Sequence, residues 1–139
     1  MAEPTTPILI IGPSIALGVI IGAYEAIVIH RDVTVPTHRF GHMIHAFLLA
    51  ILFVFCTMNT EFVLGLVGFE GILPIFVQAG IGLIAVIKIH GVSKAIKSAG
   101  GGAGLGETWF HSILIGALIA AAPYVYPVVE GLLPDWLKF

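Results

Sequence analysis

Charged residues and cysteines are scarce in this sequence. Only 10% of its 139 residues are charged, whereas soluble domains carry about 25%, so the composition excludes a soluble globular domain. A single cysteine, Cys56, excludes an intrachain disulfide framework and any zinc or iron–sulfur site that needs several cysteines. The six lysines and arginines are too few and too scattered for the basic face that nucleic-acid binding uses. We therefore expect no nucleic-acid partner.

Three short motifs are also missing. The sequence contains no CxxCH for covalent haem attachment. The glycine-rich stretch 98–106 has neither a preceding strand nor the GK[ST] of a phosphate-binding loop, so it is predicted to be a linker. The first seven residues lack the positive charge of a signal peptide, and the apolar run after them is too long for one. We expect a retained membrane helix there.

Apolar residues dominate what is present. They make up 58% of the chain, and the mean hydropathy is +1.08. A helix needs about 20 mostly apolar residues to cross a bilayer. The sequence predicts one all-α domain over residues 1–139, an integral membrane bundle of four transmembrane helices in a cell membrane. The predicted helices cover about 7–29, 41–58, 72–92 and 107–125.

The apolar stretch 62–71 does not fit this scheme, because it is too short to span a membrane alone. Three alternatives stay open for it. It could extend the second helix, lie in the membrane interface, or re-enter the membrane.

The distribution of basic residues predicts the orientation, because cytoplasmic loops are enriched in lysine and arginine. Arg31 and Arg39 lie between the first two predicted helices, and Lys94 and Lys97 lie between the last two. The opposite side carries mainly acidic residues, namely Glu3, Glu61, Glu70, Glu130 and Asp135. Both termini are therefore predicted on the non-cytoplasmic side.

Small residues predict where helices pack closely. Gly18 and Gly22 form a GxxxG pattern in the first helix, and such patterns let a second helix approach in a membrane. Gly116 and the alanines after it make a similar surface on the last helix. These surfaces would also permit self-association or contact with other membrane subunits.

The histidines gather at one level of the predicted bundle. His38, His42 and His45 follow the spacing i, i+4, i+7, which places them on one stripe of a helix. In the predicted topology all six histidines fall at the cytoplasmic ends of the helices. Three charged residues lie at a comparable depth, namely Glu25, Lys88 and Glu107.

Two functional interpretations compete for this layer. The first is a transition-metal or haem b site built from His42, His45 and His111, with His38 as a further candidate, because imidazole is the commonest metal ligand. The second is an intramembrane charge pair or proton relay of Glu25, Lys88 and Glu107, since ionisable groups inside membranes often mark such paths.

A purely structural interpretation stands beside them. Histidines at helix ends sit comfortably at the headgroup level without a ligand, and Glu25 and Lys88 would simply neutralise each other. His90 lies about 160° round the helix from Lys88. One site that uses all six histidines is therefore disfavoured.

The leading functional hypothesis is a small polytopic subunit of a larger membrane complex, energy-converting or redox in kind, whose histidine and glutamate layer holds a cofactor or supports a partner's site. A non-catalytic subunit is favoured over an enzyme, and no catalytic residue is assigned. One alternative is a stand-alone membrane redox protein with haem b or a metal. The other is an oligomeric channel or proton-coupled transporter.

Overall fold

The computed structural model describes residues 8–32, 36–69, 71–99 and 109–138, with side chains described over 8–27, 44–69, 71–91 and 109–138. These residues form helices and connections and contain no strand, which confirms the prediction of an all-α protein. The helices are α1 (Gly12–Asp32), α2 (Pro36–Met58), α3 (Thr60–Val67), α4 (Pro74–Ala99) and α5 (Trp109–Val129), followed by two 3₁₀ turns at Glu130–Leu132 and Asp135–Leu137.

The described helices contain two or three candidate membrane spans, where the sequence predicts four. Two spans are long and apolar enough to cross a bilayer, namely Pro74–Gly91 in α4 and Trp109–Leu132, which covers α5 and the 3₁₀ turn after it. A third is counted only if Ile44–Met58 and α3 are taken as one span, and an 88° bend separates those two segments. The apolar part of α1, Gly12–Ile27, is shorter. Pro13 stands in its first turn, a position that tolerates the missing N–H, and the described residues 8–11 before the helix are not helical.

Several helix ends differ from their predicted positions. The second helix begins at Pro36, five residues before its expected start, because proline suits the first position of a helix. Helix α4 continues to Ala99 and so includes Lys94 and Lys97, which were expected in a loop. Helix α5 runs through Pro123 and ends at Val129. Because Pro123 has no N–H, the carbonyl of Ile119, four residues earlier, needs a hydrogen-bond donor from outside the helix backbone.

Helices α2 and α5 form the central pair of the bundle. Helix α1 packs mainly on α2, and α4 packs mainly on α5, so α1 and α4 lie on opposite sides of that pair. Helices α1 and α2 run antiparallel, because Gly18 faces Ile51 whereas Gly22 faces Phe47. Helices α4 and α5 also run antiparallel, because Gly82 faces Ala120 whereas Val86 faces Gly116. The core contains Leu17, Ile21, Ala50, Val54, Met58, Ala85, Ile89, Ile115, Ile119 and Ala122.

Glycines allow the closest helix contacts in both outer pairs. A Cβ added to Gly18 would lie 2.5 Å from the Cα of Ile51, so α1 and α2 are nearly in backbone contact. In the second pair, a Cβ on Gly82 would lie 2.8 Å from the carbonyl oxygen of Gly116, and one on Gly116 would lie 2.6 Å from that of Gly82. Neither pair has room for a side chain at these positions.

The carboxyl-terminal turns return to the start of α1. A Cβ on Gly12 would meet the carbonyl group of Leu137, so this contact also depends on a glycine. Within the last turn, the Lys138 ammonium donates a hydrogen bond to Asp135 Oδ1 at 2.8 Å, and this bond lowers the pKa of the Asp135 carboxyl below its ordinary value.

Two glycine substitutions test this packing. We expect Gly18→Ala to lower the free energy of unfolding by about 1–3 kcal/mol, because the new methyl group meets backbone that cannot move aside. Gly80→Ala is the matched control, since a Cβ there meets nothing within 4 Å, and it should be neutral or stabilising by up to about 1 kcal/mol. Unfolding in detergent micelles followed by circular dichroism measures both. Equal effects of the two substitutions would contradict the proposed packing.

Candidate functional site

Buried polar residues occupy two layers at opposite ends of the bundle. The layer at the end where α1 and α4 finish, here called the histidine layer, contains Glu25, His90, His111 and Ser112. The layer at the other end, here called the amide layer, contains Ser14, Thr57, Asn59, Thr60 and Gln78. The apolar core lies between them.

The centre of the histidine layer joins α1 to α5. Glu25 on α1 is 4% exposed and His111 on α5 is 7% exposed. The ring of Tyr24, next to Glu25 in the chain, contacts the ring of His111 with centroids 5.8 Å apart. The antiparallel packing of the carboxyl end of α1 and the amino end of α5 therefore places a buried carboxyl and a buried imidazole in one layer.

His90 occupies a separate part of this layer. Its ring stacks on Trp109 with centroids 3.7 Å apart and planes 19° apart, so it links the end of α4 to the start of α5. The His90 side chain is buried, and neither ring nitrogen forms a hydrogen bond in the part of the chain that the structure describes. Buried polar atoms are nearly always hydrogen-bonded in folded proteins. His90 is therefore unusual and separate from the His111 contact.

Of the other residues predicted for a site, two are exposed and three have side chains outside the described residues. The side chains of His45 and Lys88 are exposed on the bundle surface, and the described ion pairs include none between Lys88 and Glu25. The side chains of His38 and His42, and all of Glu107, lie outside the described residues. Among the residues described, no group of three histidine, cysteine or acidic side chains is placed to hold a metal ion.

Asn59 organises the amide layer at the end of α2. Its Oδ1 accepts a hydrogen bond of 2.7 Å from the backbone N–H of Ile10. Its Nδ2 lies within donating distance of the carbonyl oxygens of Phe55 at 2.9 Å and Ile10 at 3.2 Å, and of Ser14 Oγ at 3.4 Å. One side chain thus joins the start of α1 to the bend between α2 and α3.

Thr57 compensates for a proline in α5. Pro123 has no N–H, so the carbonyl of Ile119, four residues earlier, loses its partner within the helix. Thr57 Oγ1 on α2 lies 3.0 Å from that oxygen and 3.0 Å from the carbonyl oxygen of Val54 in its own helix, so its single hydrogen is shared between these two acceptors. Gln78 on α4 extends the network, since its Nε2 donates to the carbonyl of Thr57 at 3.4 Å and its Oε1 accepts from the Tyr124 hydroxyl at 2.7 Å. Three helices meet in this network.

The two layers do not connect. Along α1, Glu25 stands eleven residues after Ser14, which is about 16 Å at the rise of an α-helix. The buried residues between them on α1 and α5 include Leu17, Ile21 and Ile115. The described side chains therefore provide polar surroundings at each end and no continuous polar path from one end to the other.

A comparison with known proteins finds no matching family, no similar curated protein and no similar solved structure. The function must therefore be inferred from the residues of this chain.

Sequence reasoning missed two aromatic members of the histidine layer. Tyr24 contacts His111, and Trp109 stacks on His90. The second contact has a signal in the sequence, because His90 stands near the end of one helix and Trp109 begins the next. An antiparallel pair places such residues side by side. The first contact has no such signal, since it depends on how α1 packs on α5.

A double-mutant cycle tests the link between Thr57 and Pro123. We expect Thr57→Val to lower the free energy of unfolding by about 1–2 kcal/mol, because it leaves the buried Ile119 carbonyl unsatisfied. In a Pro123→Ala background the restored N–H bonds that carbonyl, and the same change should cost distinctly less. Equal costs in both backgrounds, measured by unfolding in micelles, would show that the hydroxyl does not serve this carbonyl.

The two ring nitrogens of His90 are buried without a hydrogen-bond partner in the described structure, which predicts the effect of replacing this residue. His90→Phe keeps an aromatic ring against Trp109 and removes two buried polar atoms, so it should raise the free energy of unfolding by about 1–3 kcal/mol. His45→Phe on the exposed surface is the control and should change it by less than about 0.5 kcal/mol. A destabilised His90→Phe protein would mean that a bound water or ligand satisfies these nitrogens.

Proposed function

We propose that this chain is a small polytopic subunit of a larger membrane assembly, energy-converting or redox in kind, in which Glu25 exchanges protons on behalf of a partner's site. The observation that carries the proposal is the burial of the Glu25 carboxyl in the same layer as His111. A carboxyl and an imidazole are both ionisable groups, and the ring of Tyr24, next to Glu25 in the chain, contacts that of His111 on α5.

The energetic cost of this arrangement supports a functional role. A carboxyl group inside a membrane bundle is expensive, and intramembrane ionisable residues commonly mark ion or proton pathways. The rest of buried α1 is apolar or small, as at Leu17, Gly18, Ile21 and Ala26, so a glutamate is not needed there to fill space. Its presence in this position is therefore best explained by proton chemistry.

The apolar core favours a subunit over a complete channel. A proton conductor needs protonatable groups or water along its whole length, whereas the described polar layers are separated by Leu17, Ile21 and Ile115. A path that begins at Glu25 would have to continue sideways, into another polypeptide.

Membrane insertion is supported by the composition of the helices. The apolar spans Pro74–Gly91 and Trp109–Leu132 are long enough to cross the apolar part of a bilayer. Trp109 and Tyr124 lie exposed near opposite ends of α5, as aromatic residues do at the two membrane surfaces. The orientation, with both termini on the non-cytoplasmic side, remains a prediction that follows from the basic residues near the ends of α1 and α4 and the start of α2.

The proposal predicts two results on protein purified gently from its native membrane. Native mass spectrometry should give a particle with other polypeptides at fixed stoichiometry, because the proton path continues outside this chain. Infrared difference spectra of that particle between two pH values should contain a carboxyl signal that disappears in Glu25→Gln. Glu61→Gln, at an exposed position, is the control and should leave that signal in place.

Two outcomes would contradict the proposal. A particle that contains only this chain would show that the chain is not a subunit of a larger assembly. A carboxyl signal unaffected by Glu25→Gln would show that Glu25 does not exchange protons. A visible spectrum of the same sample tests the alternative of a haem protein, since haem absorbs strongly in the visible range.

A further inference from the structure

We infer that α3 and the connection after it form a ledge embedded in the bilayer, with Leu66 and Val67 in contact with phospholipid acyl chains. This inference goes beyond the proposed function and shares with it only the placement of the chain in a membrane. The partner it assigns is the lipid of the leaflet at the amide-layer end. The ledge is defined as α3 with residues 68, 69 and 71–73.

The bend at Asn59 gives α3 its direction. The axis of α3 is turned by 88° from that of Ile44–Met58, so α3 lies roughly parallel to the membrane plane if α2 crosses it. Asn59 holds this bend by its hydrogen bonds to Ile10 and Phe55. The orientation of α3 is therefore fixed by hydrogen bonds between Asn59 and the bundle.

The two sides of α3 differ in chemistry. Glu61 and Gly65 are four residues apart and share one side of the helix, whereas Leu66 and Val67 project from the other side. The side chains of Leu66 and Val67 are 70% and 57% exposed. A helix in the membrane plane with one acidic or small side and one bulky apolar side is typical of an interfacial element.

The helix ends in a way that returns the chain to the bundle. Gly68 adopts a left-handed conformation with φ 70°, and its neighbour Phe69 donates a backbone hydrogen bond of 3.1 Å to the carbonyl of Leu64. Gly71 has φ 77°, a second conformation that favours glycine. These two glycines let the chain turn directly into α4 within a few residues.

The apolar surface of the ledge continues onto α4. Phe69 and Leu73 are exposed by 59% and 61%, and Phe76 in the first turn of α4 is exposed by 67%. Pro74–Gly91 is a candidate membrane span from its first residue, so the exposed apolar side chains of Ile72 and Leu73 directly before it lie near the depth at which that span begins. Acyl chains therefore lie beside this part of the ledge as they do beside the span.

Single-tryptophan proteins in phosphatidylcholine vesicles test the inference. In a Trp109→Phe, Trp136→Phe background, Leu66→Trp places a fluorophore on the apolar side of α3. Gly65→Trp is the matched control one residue away on the other side, where a new side chain meets open space. We expect lipids with brominated acyl chains to quench the Leu66→Trp protein several-fold more than the Gly65→Trp protein. Acrylamide in the water should give the reverse order.

Two results would overturn the inference. Strong acrylamide quenching of both proteins would place α3 in water. Protection of the Leu66→Trp protein from both quenchers would mean that protein covers this side.

A separate protein that keeps only Trp109, made by Trp136→Phe, reports on membrane placement itself. If brominated lipid quenches Trp109 but does not quench the Leu66→Trp protein, only the ledge is rejected. If brominated lipid quenches neither tryptophan, the membrane placement on which the proposed function depends is rejected as well.

Discussion

The structure depends on one constraint: backbone and side-chain polar groups inside an apolar bundle must find their partners within the protein. Water does not reach these groups to form hydrogen bonds with them, and each group left without a hydrogen bond costs folding free energy. Two side chains meet this requirement at the amide layer, namely Thr57 in the last turn of α2 and Asn59 directly after that helix. The Thr57 hydroxyl lies within donating distance of the Ile119 carbonyl, which has no N–H partner because of Pro123. The Asn59 side chain accepts a hydrogen bond from the backbone N–H of Ile10, just before α1. The proline-containing helix α5 and the bend into α3 are both stabilised by these two side chains.

Close packing is the second condition for these hydrogen bonds. Helices joined through Gly18 and through the facing Gly82 and Gly116 bring their backbones nearly into contact. Short distances between helix axes let short side chains such as threonine and asparagine reach across to a neighbouring backbone. The glycine contacts and the polar network therefore support one another, and loss of either would weaken both.

One residue of the histidine layer departs from this rule. His90 is buried, and neither of its ring nitrogens forms a hydrogen bond in the described structure. The proposed proton chemistry is located at this end of the bundle for a different reason, because Glu25 brings an ionisable carboxyl group there. The amide layer consists of serine, threonine, asparagine and glutamine, which are not ionisable at neutral pH, and it is assigned a structural role.

The sequence alone determined the properties that follow from composition and periodicity. Scarce charge and long apolar segments predicted helices, and the spacing of Gly18 and Gly22 predicted a surface suited to close packing. The positions of His90 and His111 along their helices predicted a common level, because an antiparallel bundle aligns helix ends. Such inferences succeed when the physics is local to one helix or depends only on its length.

Only the tertiary structure decided which side chains meet. It placed His111 against Tyr24 and His90 against Trp109, and it left His45 and Lys88 on the surface. It also bent the chain by 88° at Asn59, where the sequence left three alternatives open for the stretch 62–71. The rotation of each helix about its axis and the angle of a bend depend on contacts between segments distant in sequence. No periodicity within one segment records them.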